Sequence, residues 1–516
     1  MNEPLVLTYD IGTQSTRAML VNKDGKIIDF KQIIYPTPYM VKEEGFAEQT
    51  PTFYYDMMCK VSKELKESSN EYFDDIIAVT TTVIRNNVVL LDKDRNALRD
   101  IIIWIDNRRS NLPLPMPKPV RSLLKMVGLE ETLTSIYQDF KSVWFKENEP
   151  EIWAKTDKYV MLSTYLNYLL TGELKDTPAN MIAPLPFSMK KRDWDYKFGL
   201  QSKLIGIPLE MMCELTETGT VIGNITKKAS LDLGIPCSLP LIATGSDKGS
   251  ETLGLSVIKP NQAAISFGTI GTIQFSSKNY FDVMPFTPSY PAIVPGLYNP
   301  ESNIYRGFWM VSWFIKNFCA EEQKMAEELG CMTEDILNSK LKDIPIGCNG
   351  LFLQPYWGGC FYDSSAKGSI IGFTDTHTKY HLYRAIIEGI GMTLRTGLYN
   401  MQKKSGQTIT EIFVGGGGSR SPEICQIVAD IFNLPVKRTQ THEACGIGSS
   451  MVAFISRGIY SNYDEAIAGM VTVKDVFNPI PENHEKYEKI YNELYGKIQP
   501  VLKPIYKKMK KGNYEF

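Results

Sequence analysis

Apolar residues along the chain fall into short runs of strand length, separated by stretches with helical spacing, and this alternation predicts an α/β architecture. "LVLTYD", Arg17 to Val21, "KIIDFKQII", "IIAVTTTV" and "NNVVLLD" read as strands, whereas "TPTFYYDMMCKVSKELKES" carries its apolar residues at helical spacing. From "KSVWFKENEPEIWAKTDKYVMLSTYLNYLLTGE" the pattern turns helical for a long stretch, as an insertion on a first domain would. Strands and glycines return at "LPLIATGSDKGSETLGLSVIKPNQAAISFGTIGTIQFSS". A further glycine-rich stretch, "ITEIFVGGGGSRSPEICQIVADIFNLPVKR", reads as a strand, then Gly415 to Gly418, then a helix that begins near Pro422. Proline in the first turn, preceded by glycine, suits a strand-to-helix crossing where a flat ligand or a phosphate can approach the backbone, or a plain helix entry.

In the first strand the apolar run is interrupted by Asp10, a Gly12-Thr13-Gln14-Ser15-Thr16 string and Arg17 before it resumes at Ala18. A tight hairpin explains the glycine and the two flanking strands. It does not explain a carboxylate at the strand end, small hydroxyl residues that expose backbone N–H groups, and a guanidinium, which are the groups that bind a metal and a polyphosphate. "SFGTIGTIQF" repeats the order of strand, Gly-Thr turn and strand, with Gly268-Thr269 where Gly12-Thr13 stood, the trace expected of two related lobes.

The chain has 516 residues, enough for two or three domains with large cores. A formal net charge of −2 leaves out the basic excess of a nucleic-acid binder; the one basic cluster, "KPIYKKMKKGNYEF", reads as the solvated end of a last helix. Nine cysteines without a CxxC pair and four dispersed histidines argue against a zinc site and a disulfide framework, and for a reducing compartment. With no signal-peptide pattern and no apolar stretch of bilayer length, a cytoplasmic protein without membrane contact is expected. GxxxxGK[ST], GxGxxG at a helix start and the protein-kinase motifs do not occur in the sequence.

In this order, "DIGTQSTR", "ATGSDKGSETLG", "AAISFGTIGT", "AKGSIIGFTDTHTKYHLYRAIIEGI" and "VGGGGSRSPEICQIVADIFNLPV" resemble the FGGY carbohydrate kinase family. "WFKENEPEIWAKTDKYVMLSTYLNYLLTGE" resembles its xylulokinase-like branch, and the likeness runs from about residue 5 to about residue 460. The resemblance implies an α/β fold of two actin-like, ribonuclease-H-type lobes with a catalytic cleft between them. Residues 1–256 would form an N-terminal lobe with the sugar site, the first phosphate loop and a helical insertion; 257–480 would form a C-terminal lobe for ATP; 481–516 would form a C-terminal helix and tail. It implies ATP and Mg²⁺ as cofactors and a small sugar or polyol as substrate, a ketopentose before others, and it leaves room for a homodimer.

Under this resemblance Asp10 would orient the hydrated Mg²⁺, Gly12, Thr13, Gln14 and Ser15 would face the phosphates, and Arg17 would add charge near the transferring group. Asp247, in "GSDKG", stands where the family places the carboxylate that takes the proton of the attacking hydroxyl, although an Asp after Gly-Ser also suits a helix N-cap. Lys248 departs from the amide or small residue more usual after it. Thr269 matches the hydroxyl residue at the terminal phosphate, with Gly268 beside it, and Gly307 falls where a glycine approaches the nucleotide. Gly416, Gly417 and Gly418 would lie against adenosine, with Ser421 near them.

Arg85 and Asn86 stand where xylulokinases carry Met-His, and where glycerol kinases and the kinase of the furanone autoinducer-2 carry Arg-Glu; Asp106, two residues after Trp104, is shared with pentulose kinases. Arg85, Asn86, Trp104 and Asp106 are thus the substrate candidates, a polar set suited to a neutral polyhydroxylated ligand. Arg85 also suits an inter-strand salt bridge. A kinase of another polyol or of the furanone stays open, as does an ATP-binding regulator of the same fold with altered catalysis. An actin- or chaperone-like ATPase is a third reading, against which the sugar-segment pattern argues.

Overall fold

The computed structural model describes residues 3–195, 204–285, 287–359 and 365–511. The chain divides into two compact units, one formed by Met1–Ser250, Pro291–Gly296 and Cys445–Met470, the other by Glu251–Tyr290, Leu297–Ala444 and Val471–Phe516. The sheet of the first unit uses β1 (Leu5–Ile11), β2 (Ser15–Asn22), β3 (Ile27–Ile34), β4 (Ile76–Val83), β5 (Val221–Asn224) and β6 (Pro240–Ile242) in the order β3-β2-β1-β4-β6-β5. That of the second uses β7 (Gln262–Phe267), β8 (Gly271–Phe275), β9 (Glu301–Ile304), β10 (Glu411–Gly415), β11 (Val436–Thr439) and β12 (Val473–Phe477) in the order β9-β8-β7-β10-β11-β12. In each sheet three antiparallel strands are followed by two parallel ones and a final antiparallel edge. The repeat legible in the two Gly-Thr turns is therefore a repeat of whole sheets.

β1 is buried along its whole length because both of its faces are covered. Successive side chains point to opposite faces. Tyr9 OH donates to Ser62 Oγ on the helix Phe53–Ser69 at 2.7 Å, while Thr8 Oγ1 lies 2.8 Å from Thr80 Oγ1 and 2.9 Å from Ser450 Oγ on the helix Ala444–Ser456. Residues 445–470, expected with the second lobe, thus pack with the first unit. Tyr460 OH, which donates to the Lys23 carbonyl at 2.5 Å, ties the same segment down.

The stretch 141–173, expected to be helical throughout, is broken by the strand Lys158–Met161. Tyr159, Val160 and Met161 are buried there, and pairing with Val88–Leu91 satisfies their backbone, so tertiary pairing overrides local helical spacing. The C-terminal segment forms two helices, Pro481–Ile490 and Gly496–Lys511, with a single π-turn between them. Tyr487 and Tyr495 hold it to the helix Lys379–Ser405 through Glu388 and the Gly389 carbonyl, each at 2.8 Å. Among the described residues no helix is long and apolar enough to cross a membrane.

Candidate active site

Ligands of open α/β sheets bind outside the carboxyl ends of parallel strands. In the first unit β1, β4 and β6 are neighbours and parallel, with Ile11 opposite Val83 and Ile242 opposite Thr80. The three segments that leave their carboxyl ends carry Gly12 to Gln14, Arg85 to Asn87, and Asp247. The first is a hairpin turn closed by Gly12 N–H to Ser15 O at 2.9 Å. Asp10 is buried and paired across the hairpin with Arg17 at 2.8 Å, as their opposed register dictates. Gln14 is exposed and Thr13 half-buried, whereas Ser15 Oγ is buried and accepts from Gln32 at 2.9 Å, which turns it toward the neighbouring strand.

Asp247 begins the helix Asp247–Gly254. The cap falls to the residue before it: Ser246 Oγ accepts from Gly249 N–H at 3.5 Å, while Asp247 Oδ1 accepts from the Lys248 amide at 2.9 Å. Arg85 Nε approaches Asp247 Oδ1 to 4.0 Å, with the carboxylate side chain 25% exposed. Arg85 therefore makes an ion pair, to the candidate base on the adjoining strand end. Asn86 adopts φ 60°, a left-handed conformation that Asn tolerates better than most residues.

Trp104 links two of these segments: its indole N–H donates to Thr13 Oγ1 at 2.9 Å and its backbone N–H to Asn87 Oδ1 at 2.8 Å. Asp106 has a different task from the one its sequence position suggests. Its side chain is fully buried, and it accepts from Ala47 N–H at 2.7 Å, Arg108 Nε at 2.9 Å and Lys141 Nζ at 3.0 Å, which leaves it no face toward a ligand. Arg108, also buried, stacks 3.9 Å from the Phe46 ring and 4.6 Å from that of Trp144 and bonds Glu48 at 2.7 Å. Burial pushes the Asp106 carboxyl up, but the hydrogen bond of Arg108 and the charge of Lys141 outweigh it and hold it below the usual range.

In the second unit β7, β10 and β11 are parallel neighbours, and their carboxyl ends carry Gly268-Thr269, Gly416 to Gly418 and His442. Thr269 and Gly417 are exposed, and a methyl placed on Gly417 would meet nothing within 4 Å, so this loop presents open backbone. Gly416 has φ +76° and lies against the Phe267 carbonyl; a methyl on Gly418 would strike the Phe308 ring at 2.3 Å. Gly307 has a packing reason of its own: a methyl there would sit 2.1 Å from Gly271 N, where backbone meets backbone. Gly307→Ala is expected to lose about 1–3 kcal/mol of stability by overpacking. It should also weaken ATP binding, because Phe308 N–H holds the Gly268 carbonyl at 3.1 Å. Thermal unfolding and ATP titration of the variant check both; wild-type values in both would refute the packing role.

Ser421 caps the helix Pro422–Phe432, its Oγ accepting from Ile424 N–H at 3.2 Å, and is buried. It therefore acts on the loop and has no open face for adenosine. His442 was not legible in the sequence, where it is one of four scattered histidines. Burial and the charges of Arg420, Arg438 and Lys474 hold it below the usual histidine range, and its Nδ1 lies 3.2 Å from Ser419 Oγ.

Among the described residues no three His, Cys, Asp or Glu side chains converge to hold a metal. A Mg²⁺ ion that keeps its waters needs only one or two carboxylates plus phosphate oxygens. Asp10 fits that role, and so does its neighbour: Thr82, opposite Asp10 in the β1/β4 pair and fully buried, has an Oγ1 with no hydrogen-bond partner among the described residues.

The sheet repeat defines two related α/β lobes of the actin-like kind, each with loops at the carboxyl ends of its parallel strands. The chain belongs to the FGGY family of carbohydrate kinases, matching its N-terminal domain over residues 5–254 and its C-terminal domain over residues 263–457. It is 28% identical over 520 residues to an uncharacterised sugar kinase of Escherichia coli (strain K12), covering 99% of this chain and 97% of the relative. To a xylulose kinase of Bacillus subtilis (strain 168) it is 26% identical over 516 residues, covering 97% of each. The crystal structure of a gluconate kinase from Lactobacillus acidophilus superposes with a TM-score of 0.83 at 23% identity, over 98% of this chain and 100% of that one. Its two-lobe, actin-like fold is the fold of this chain. The activity is that of a sugar kinase, with ATP as the phosphate donor of the family.

Proposed function

We propose that the protein transfers the γ-phosphoryl group of ATP to a hydroxyl of a ketopentose in the cytoplasm, with Mg²⁺. The observation that carries this reading is the Arg85–Asp247 ion pair beyond the carboxyl ends of two parallel strands, beside the strand that carries Asp10 near its own carboxyl end. In the transfer, Asp247 takes the hydroxyl proton, the freed oxygen bonds to the γ-phosphorus, and the bond from that phosphorus to the bridging oxygen breaks to leave ADP. Arg85, 4.0 Å from Asp247 Oδ1, orients that carboxylate and reaches substrate hydroxyls. Mg²⁺ would neutralise phosphate charge, its water shell held by Asp10 and Thr82. The Gly12–Ser15 and Gly268–Thr269 turns are the phosphate loops, and Gly416 to Gly418 take the adenosine. Asp106 acts through Arg108 and Lys141 as the anchor of the Trp104 segment.

The 26% identity to a xylulose kinase over nearly the whole chain supports a ketopentose. The Arg85-Asn86 pair favours a second acceptor class, polyols or a furanone. Arg85→Ala separates sugar from nucleotide roles: the sugar KM is expected to rise roughly tenfold to hundredfold, the gain lost with one good polar contact, while the ATP KM changes little. Steady-state kinetics with D-xylulose, D-ribulose, glycerol and erythritol decide it, and equal effects on both KM values would move Arg85 off the sugar site.

A further inference from the structure

Asn87 is fully buried, yet its side-chain Nδ2 has no hydrogen-bond partner among the described residues. The orientation of the amide is not arbitrary. Trp104 N–H donates to Oδ1 at 2.8 Å, and turning the amide over would set N–H₂ against N–H, so the two donors of Nδ2 must point elsewhere. The backbone of Asn87 is fixed as well, since its carbonyl accepts from Leu162 N–H at 3.0 Å. A buried donor left without an acceptor is costly, and in native proteins such a group signals a missing water, ion or ligand. Its surroundings favour a ligand: Asn87 follows Arg85 and Asn86 on the strand end beside Asp247, and the Trp104 it holds reaches Thr13 with its other nitrogen.

We infer that Asn87 Nδ2 donates to an oxygen of the sugar and sets which sugars are accepted. The inference rests on the sugar-kinase reading of this site. An N–H₂ group cannot accept, so the sugar oxygen it meets must be an acceptor, a carbonyl or a hydroxyl whose own proton points away. A site that hydrogen-bonds one substrate oxygen rejects the analogue lacking it, because the buried donor is then stranded. The Asn87 amide is itself held at both ends, by Trp104 N–H on Oδ1 and Leu162 N–H on its carbonyl, so the contact requires a covering group to shift rather than the amide.

The test compares the wild-type protein with Asn87→Asp, which keeps the acceptor for Trp104 N–H and removes both donors. Thermal shifts with D-xylulose, D-ribulose, L-ribulose, D-gluconate, glycerol and ATP are recorded for each, since a ligand of the native state raises its melting temperature by mass action. Any sugar that shifts the wild type is expected to bind the variant roughly tenfold to hundredfold more weakly. The ligand-free melting temperature is expected to fall, because the variant buries a carboxylate, so each ligand shift is read against the same protein's own ligand-free value; on that scale the ATP shift should stay close to wild type. For the sugar that binds, monodeoxy analogues then complete a double-mutant cycle: one deoxygenation should weaken the wild type and be nearly silent in Asn87→Asp. A variant that binds the sugar as the wild type does, or that weakens all deoxy analogues equally, overturns the role of Asn87 and leaves a buried water as its partner. Shifts by D-gluconate or glycerol without the pentuloses would overturn the ketopentose reading alone, and a wild type that answers to no sugar in the panel would overturn both.

Discussion

Asp247→Asn is expected to lower kcat by about two to four orders of magnitude, the range typical of removing a general base, while the dissociation constants for sugar and ATP stay near wild type. The change keeps the shape of the side chain and its acceptor for the Lys248 amide, and it does not touch the helix cap, which belongs to Ser246. Stability should therefore change little, and a folding defect cannot imitate the loss of activity. Removing the charge also frees Arg85, 4.0 Å away, from its ion pair. Sugar affinity should hold, because Arg85 is present in both proteins. Single-turnover rates and the two dissociation constants from one preparation check this, and a near-normal kcat would remove Asp247 from the reaction.

Arg108→Met is expected to cost about 3 kcal/mol of stability, the low end for breaking a buried ion pair by removing one partner. The low end applies because Arg99 and Lys42 still face Glu48, and Lys141 still faces Asp106. The apolar replacement keeps contact with Phe46 and Trp144, so the loss reads the stranded carboxylates more than lost packing. The pH dependence follows from the same network. Burial opposes ionisation of Glu48 and Asp106, but the charges of Arg99, Arg108, Lys42 and Lys141 and the Ala47 amide prevail, and both carboxyls lie below their usual values. Their contribution is present above the unfolded-state carboxyl range near pH 4 and is lost as pH falls through the folded values. Wild type should thus lose stability steeply in acid, and Arg108→Met should lose less on the same descent. Urea midpoints between pH 3 and pH 7 measure it; equal midpoints for the two proteins at pH 7 would refute the account of the network.

The alternation of strands and helices was legible because burial on one or both faces writes its period into the sequence. The two hairpins were legible because each turn needs glycine and small hydroxyl residues. Asp10 and Asp247 could be found from the same stretches, each lying at or just beyond the end of a buried strand. What could not be read is what assembles from distant segments. The partners of Asp106 come from Ala47, Arg108 and Lys141, and nothing local marks the carboxylate as already satisfied. The stranded amide of Asn87 becomes visible only once Trp104 takes its oxygen. The placement of 445–470 with the first unit depends on Ser450 meeting Thr8, 442 positions away.

The central claim, ATP-dependent phosphorylation of a small sugar, is tested most directly by measuring ADP release and phosphorylated product together, with and without D-xylulose. The account predicts ADP release that depends on the sugar, with one sugar phosphate formed for each ADP. ATP hydrolysis at the same rate without any sugar, and with no phosphorylated acceptor, would contradict it.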